Sequence, residues 1–181
     1  MAIPVFLSYP QPHLQAQEAF VRELRRYLEG RGFAPRTLGV TEYDVDAPLT
    51  AIRRLLLESN GLITIALRRM WVESGAWKKS TDMPMVKETT AANVWFTSPY
   101  CQIEPAMAYQ LGLPVLIIRE SGVVADGLLE RGVIGTYMPE FSLDGDPLRY
   151  LQSSEWGALI GKWEGHVRTV VDAKGRPPRL Y

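Results

Sequence analysis

Apolar positions along the chain follow two rhythms. Short unbroken runs at 3–7, 62–67 and 114–118 have the pattern of strands buried on both faces, as in a parallel sheet. Between them, apolar residues recur at three- and four-residue spacing. Ala16, Ala19, Phe20, Val21, Leu24, Tyr27 and Leu28 make one helical stripe over about 14–29, closed by Gly30 and Gly32. A weaker strand is predicted at 34–38, followed by a polar loop at 39–46. Asp46 then reads as an N-cap with Pro48 in the first turn, and Leu49, Ile52, Leu55, Leu56 and Leu57 form the buried face of a second helix. Ser98-Pro99 opens a third helix that runs to Leu111. The pattern also predicts a short helix at 125–131, a fifth strand at 133–137 and a last helix from Ser153 or Ser154 to about Ala173.

Strand–helix alternation of this kind means right-handed crossovers, a parallel sheet and helices on both faces. In such sheets ligands sit beyond the carboxyl ends of the strands. Those ends carry Ser8-Tyr9, Thr37-Leu38, Arg68-Arg69 and Arg119-Glu120. One stretch breaks the rhythm. Residues 68–97 hold Trp71, Trp77 and Trp95 with few periodic apolar positions, and read as a long irregular loop of the kind that is usually functional.

Length and composition narrow the classes. At 181 residues, the chain reads as one domain over 1–175, with an insertion at about 70–97 and a tail at 176–181. Lys plus Arg and Asp plus Glu each number 20, which argues against a broad nucleic-acid surface. A single Cys excludes an intrachain disulfide and fits a reducing compartment. The N-terminus lacks the pattern of a signal peptide, and the apolar runs are far shorter than a membrane span. A cytoplasmic protein without nucleic-acid or membrane partners is expected. Gly30-Arg31-Gly32 lies at a helix end, not in a dinucleotide fingerprint. There is no Walker A run and no G-x-S-x-G elbow, and one Cys with His13 and His166 does not make a structural zinc site.

What remains is Ser98-Pro99-Tyr100-Cys101-Gln102-Ile103-Glu104, with Glu104 inside a mostly apolar helix. The segment resembles the S-x-W-C-x-x-E segment of Toll/interleukin-1 receptor (TIR) domains, with Tyr100 in the Trp slot. Phe6-Leu7-Ser8-Tyr9 resembles the opening F-x-S-Y of the same family, and Leu111 to Leu116 the segment after the Glu. The element order agrees over nearly the whole chain. The resemblance implies a flavodoxin-like α/β three-layer sandwich with a five-stranded parallel sheet. It also implies an enzyme that cleaves the nicotinamide–ribose bond of NAD, with Glu104 catalytic. NAD is then the substrate, and no resident cofactor or metal is implied. Substrate-binding candidates are Phe6, Ser8, Tyr9, Arg36, Arg68, Ser98, Tyr100 and Cys101. As in the bacterial NAD-processing enzymes of Thoeris antiphage defence, it implies a homo-oligomer and an ADP-ribose-derived, even cyclic, signal read by a separate effector. The loop at 37–49 corresponds to the BB loop.

Two other readings stand beside this one. Glu104-Pro105-Ala106-Met107-Ala108 followed by Gly112-Leu113-Pro114-Val115 is also similar to nucleoside 2-deoxyribosyltransferases, in which a Glu attacks the anomeric carbon. Both enzyme readings share cleavage of a C–N bond at that carbon. Departure of a nucleobase calls for an added acid, for which Glu42, Asp44 and Asp46 are candidates. Many TIR domains, by contrast, act as non-catalytic interaction modules. The insertion at 70–97 departs from the family pattern and is expected to act as a lid, its aromatics stacking on the substrate.

Overall fold

The computed structural model describes residues 2–41, 47–134 and 137–173. β1 (Ile3–Ser8) lies between β2 (Phe33–Arg36) and β3 (Leu62–Ala66), and the sheet continues through β6 (Val115–Glu120) to β7 (Glu140–Phe141). All four pairings are parallel, in the order β2-β1-β3-β6-β7. This is the flavodoxin-like doubly wound order, whose direction of winding reverses between β1 and β3. Among the described residues, no helix is long and apolar enough to cross a membrane.

Strand alternation divides the core in two. Val5, Leu7, Ile63, Ile65, Leu116 and Ile118 face α1 (Gln15–Gly30) and α4 (Ser154–Asp172). There they join Phe20, Leu24, Leu28, Trp156, Ile160 and Val167 in one continuous cluster. The Trp163 indole N–H donates to the carbonyls of Leu62 and Pro114, each at 3.1 Å, and so ties α4 to the entries of β3 and β6. Gly61 is needed here, because a Cβ would lie 2.6 Å from a Val167 methyl. The opposite face is covered by α2 (Pro48–Leu57) and α3 (Tyr100–Gln110), and its core is split. One cluster joins Phe6, Ile52, Leu55, Leu56, Leu62 and Ala108; another joins Ala66, Cys101, Ile117 and Leu129. On this face Phe6 and Leu62 are each followed two residues later by a polar side chain, Ser8 and Thr64.

Two expectations need correction. The fifth strand is Glu140–Phe141, not 133–137. Val133 and Ile134 lie in a turn, while Gly135 and Thr136 fall outside the described residues. A strand of two residues has too little periodicity to be read, and its anchor is tertiary: Phe141 stacks on Phe20 with ring centroids 4.4 Å apart. The short helix expected at 125–131 is a single 3₁₀ turn, Gly127–Leu129. Asp46, read as an N-cap, lies outside the described residues, as do the rest of 42–46 and the tail.

A third correction concerns residues 68–97, which form an antiparallel hairpin. β4 (Met70–Trp77) pairs with β5 (Thr89–Phe96), with Trp71 opposite Trp95 and Trp77 opposite Thr89. The ladder is interrupted at Glu73 and Asn93, where Asn93 takes a left-handed backbone, φ 55°. Trp77 and Phe96 lie at opposite ends of the ribbon, which a straight hairpin would hold on the order of 20 Å apart. Their rings are nevertheless 5.7 Å apart, so the hairpin bends sharply at the interruption. Its root is held by the Trp95 N–H on the Gly122 carbonyl (3.2 Å) and the Val124 N–H on the Trp95 carbonyl (2.8 Å). Both faces of β4 are largely exposed, which explains the missing periodicity.

The hairpin's ladder is internal, whereas β7 is pinned through the main core. Replacing 75–91 with an Asn-Gly turn is therefore expected to lower the melting temperature by no more than about 4 °C. Phe141→Ala is expected to cost about 3–5 kcal/mol. Thermal and urea denaturation of the two variants check the contrast; equal losses would contradict it.

Candidate active site

A cleft of about 540 Å³ opens at the carboxyl ends of β1, β2 and β3, at the point where the winding of the sheet reverses. The β1–α1 loop contributes Tyr9, Pro10, Gln11, Pro12 and His13. The exit of β2 contributes Leu38, the start of α2 Pro48 and Ile52, and the exit of β3 Arg69. Ser98, Tyr100 and Glu104 come from the entry and first turns of α3. The Ser98 hydroxyl accepts from the Tyr100 N–H at 3.3 Å, the contact expected of an N-cap with Pro99 in the first turn.

Glu104 is the cleft's only lining carboxylate among the described residues, and it is 8% exposed. It has no cationic partner among them, and burial pushes its carboxyl up to about 7, with the nearby Ser8 hydroxyl acting against that rise. Thr64 Oγ1 is buried without a hydrogen-bond partner among the described residues, while the buried Ser8 hydroxyl lies against the Glu104 carboxyl and the Cys101 thiol. Ser8 and Thr64 occupy register-matched positions on β1 and β3. These groups lie in the interval between the two apolar clusters of this face.

The sequence-predicted residues separate into two groups. Glu104, Tyr9, Ser98 and Tyr100 line the cleft, and Ser8 lies beneath Glu104. Phe6 and Cys101 belong to the core clusters. The Cys101 thiol donates to the Ile65 carbonyl at 3.9 Å, and burial pushes it up to about 12, so it packs and stays protonated. Arg36 pairs with Glu58 at 2.7 Å. Arg68 donates to the Ser121 carbonyl at 2.6 Å and lies 3.7 Å from the buried Glu120 carboxylate. Neither arginine lines the cleft. Nor do Trp71, Trp77, Trp95 and Phe96, the aromatics expected to cover the substrate; Trp71 packs on Trp95, with ring centroids 5.1 Å apart.

Arg69, which the strand-end rule offers beside Arg68, belongs to the site, and so do His13 and Gln17, which the sequence reading did not assign to it. Arg69 lines the cleft, with no hydrogen bond or ion pair to its guanidinium among the described residues. His13 lines it too, its ring centroid 6.4 Å from that of Trp95. Gln17, fully buried on α1, organises both. Its Oε1 accepts from the His13 N–H (3.1 Å), and its Nε2 donates to the Arg68 carbonyl (3.0 Å) and to Glu120 (3.1 Å). A Gln within the apolar stripe of the first helix was the available signal.

Among the described residues, no cluster of three or more His, Cys, Asp or Glu side chains is placed to hold a metal ion. No protein-family model matches the chain, and comparison with curated proteins finds no relative. Solved structures with weak likeness include two of differing kind. One is the CMP N-glycosidase BcmB of Clostridium botulinum, with TM-score 0.47, 16% identity, and coverage of 82% of this chain and 94% of that one. The other is the TIR domains of the activated Roq1 resistosome recognising the pathogen effector XopQ, with TM-score 0.41, 13% identity, and coverage of 97% of this chain and 78% of that one.

The raised carboxyl makes Glu104 a liability to the fold. Between about pH 4.5 and 7 the folded state holds a proton that the unfolded state has released, so stability falls as pH rises. Above pH 7 the full penalty, about 3 kcal/mol, applies. Glu104→Gln is expected to raise the melting temperature at pH 8 by roughly 6–12 °C and to leave it unchanged at pH 4. Calorimetry at the two pH values checks this; an unchanged or lower melting temperature at pH 8 would contradict it.

Proposed function

We propose that this protein cleaves the bond between a ribose anomeric carbon and a nitrogen leaving group, with NAD as substrate. The observation that carries the reading is Glu104: a carboxyl buried without a counter-charge among the described residues, opening onto a cleft at the carboxyl ends of the strands. Such a group gains most when positive charge develops beside it. In NAD the C1′–N bond breaks with its electron pair going to the pyridinium nitrogen, so nicotinamide leaves neutral and needs no acid. Charge builds on C1′ and the ring oxygen, and the ionised Glu104 stabilises it. Water, or a hydroxyl of the same molecule, then adds to C1′ and gives up its proton. Arg69 supplies a guanidinium for a substrate phosphate, and Tyr9 and Tyr100 flank the opening.

The resemblance of the Ser98-to-Glu104 segment to TIR domains supports the choice of NAD. It also supports a role in which an ADP-ribose product signals to a separate effector in antiphage defence, and a homo-oligomeric enzyme. A second reading, cleavage of nucleosides or nucleotides, is favoured by one observation. His13 lines the same cleft as Glu104, and an imidazole can protonate a departing base.

Incubation with NAD, deoxynucleosides and CMP, with product detection by mass spectrometry, separates the readings. Release of nicotinamide alone is expected. Release of a base only from the nucleosides or CMP would favour the second reading, and turnover of none would favour an interaction module. Glu104→Gln is expected to reduce nicotinamide release at least about 100-fold, in protein that folds normally by circular dichroism. The free-enzyme kcat/KM should rise with pH through about 7, since the ionised carboxylate is the active form.

The unpartnered Arg69 gives a separate handle. Arg69→Ala is expected to raise KM about tenfold or more with a smaller change in kcat, because a phosphate contact remote from C1′ is made equally in ground and transition states. An unchanged KM would remove Arg69 from binding.

A further inference from the structure

The β4–β5 hairpin contributes no lining residue to the cleft, yet its tip is shaped by specific bonds. Two non-glycine residues there, Lys78 and Ser80, hold left-handed backbones, φ 56° and 58°. The Ser80 N–H donates to the Glu88 carboxylate at 2.8 Å, and the Met83 N–H to the Thr81 hydroxyl at 3.3 Å. The Val86 N–H donates to the Met83 carbonyl at 3.1 Å, which closes a β-turn with Pro84 at its first corner.

This turn puts apolar side chains at the apex. Met85 is 94% exposed and Met83 62%, with Pro84 exposed between them. Trp77, also exposed, ends β4 just before the tip. Apolar surface residues scattered singly need no explanation, but a cluster at one apex marks an interaction site. Lys78, Lys79 and Lys87 bracket the apex in the chain. They are exposed and make no ion pair among the described residues. Two acids share the tip, Asp82 and Glu88, and Glu88 is turned onto the Ser80 N–H.

The chemistry favours a lipid occupant over a protein one. Protein interfaces are enriched in Arg and depleted in Lys, and every cation of the tip is Lys. A protein would need a pocket shaped to a protruding apex, whereas acyl chains close around one without it. Lysine gains beside an anionic membrane surface as a point charge, and Trp is favoured at headgroup level. Backbone groups already bonded within the tip lower the cost of leaving water.

We infer that the hairpin tip docks on an anionic lipid surface, with Met83 and Met85 among the acyl chains and Lys78, Lys79 and Lys87 at the headgroup phosphates. Such a contact lies on a membrane without spanning it. The lengths of the apolar runs do not address that mode, and it departs from the expectation of no membrane partner. The inference is independent of the cleavage reading. One apolar tip gives reversible attachment, on the order of the 10⁴ M⁻¹ of a single myristoyl chain.

The test is co-sedimentation with vesicles of phosphatidylcholine alone and of phosphatidylcholine mixed with phosphatidylglycerol, which is read without turnover. It compares the wild type, Met83→Ser/Met85→Ser and Lys78→Gln/Lys79→Gln/Lys87→Gln, each checked for folding by circular dichroism. The variant with 75–91 replaced by Asn-Gly removes the tip altogether and stands in if a point variant folds poorly. The wild type is expected to be half-bound at about 0.1 mM mixed lipid and to bind phosphatidylcholine alone about tenfold or more weakly. Both point variants are expected to lose about tenfold or more on the mixed vesicles. Absence of wild-type binding would overturn the inference, as would binding indifferent to the tip. Binding that falls with the lysines but not with the methionines is adsorption by charge alone and would overturn it too. If vesicles do not bind, while gel filtration shows self-association that the methionine variant abolishes, the tip belongs to a second copy and the lipid inference fails.

Discussion

The carboxyl of Glu104, buried without an opposite charge among the described residues, is the constraint around which this half of the molecule is arranged. The α1/α4 side of the sheet is one continuous apolar cluster, and it secures the strands. The α2/α3 side is divided, and Glu104, Ser8 and Thr64 lie in the division. An apolar filling there would stabilise the domain. The polar gap instead leaves a site whose electrostatics are set before any ligand arrives, which is the condition under which a carboxylate acts strongly on a developing cation.

Placement of that gap follows from topology. The strand order turns between β1 and β3, so the loops leaving them diverge and a cleft opens at their carboxyl ends. Holding the cleft open falls to the buried Gln17–Glu120–Arg68 network, which ties the β1–α1 loop to the exits of β3 and β6. Arg68, locked in that network, holds the backbone from which Arg69 reaches the cleft. Neighbouring arginines thus divide a structural and a site role.

Much of this was legible in the sequence. The parallel sheet was readable because strands buried on both faces give unbroken apolar runs, and Glu104 because a carboxylate stands out in an apolar helix. The strand-end rule found Tyr9, and the Ser98-to-Glu104 segment found Ser98 and Tyr100. The hairpin was not readable, since a ribbon exposed on both faces carries no inside–outside alternation. Arg36 and Arg68 looked equivalent to Arg69 in sequence. Only the fold shows that the first meets Glu58 and the second meets Glu120.

The central claim is that Glu104 is held as a strained, near-neutral acid that a cation can ionise. Carbon-13 NMR titration of the Glu104 carboxyl, in the free protein and with the cation nicotinamide riboside, measures this directly. The account predicts a midpoint of about 7 in the free protein and a lower one with the cation bound. A midpoint near the ordinary 4.5 in the free protein, or no downward movement on saturation, would contradict it.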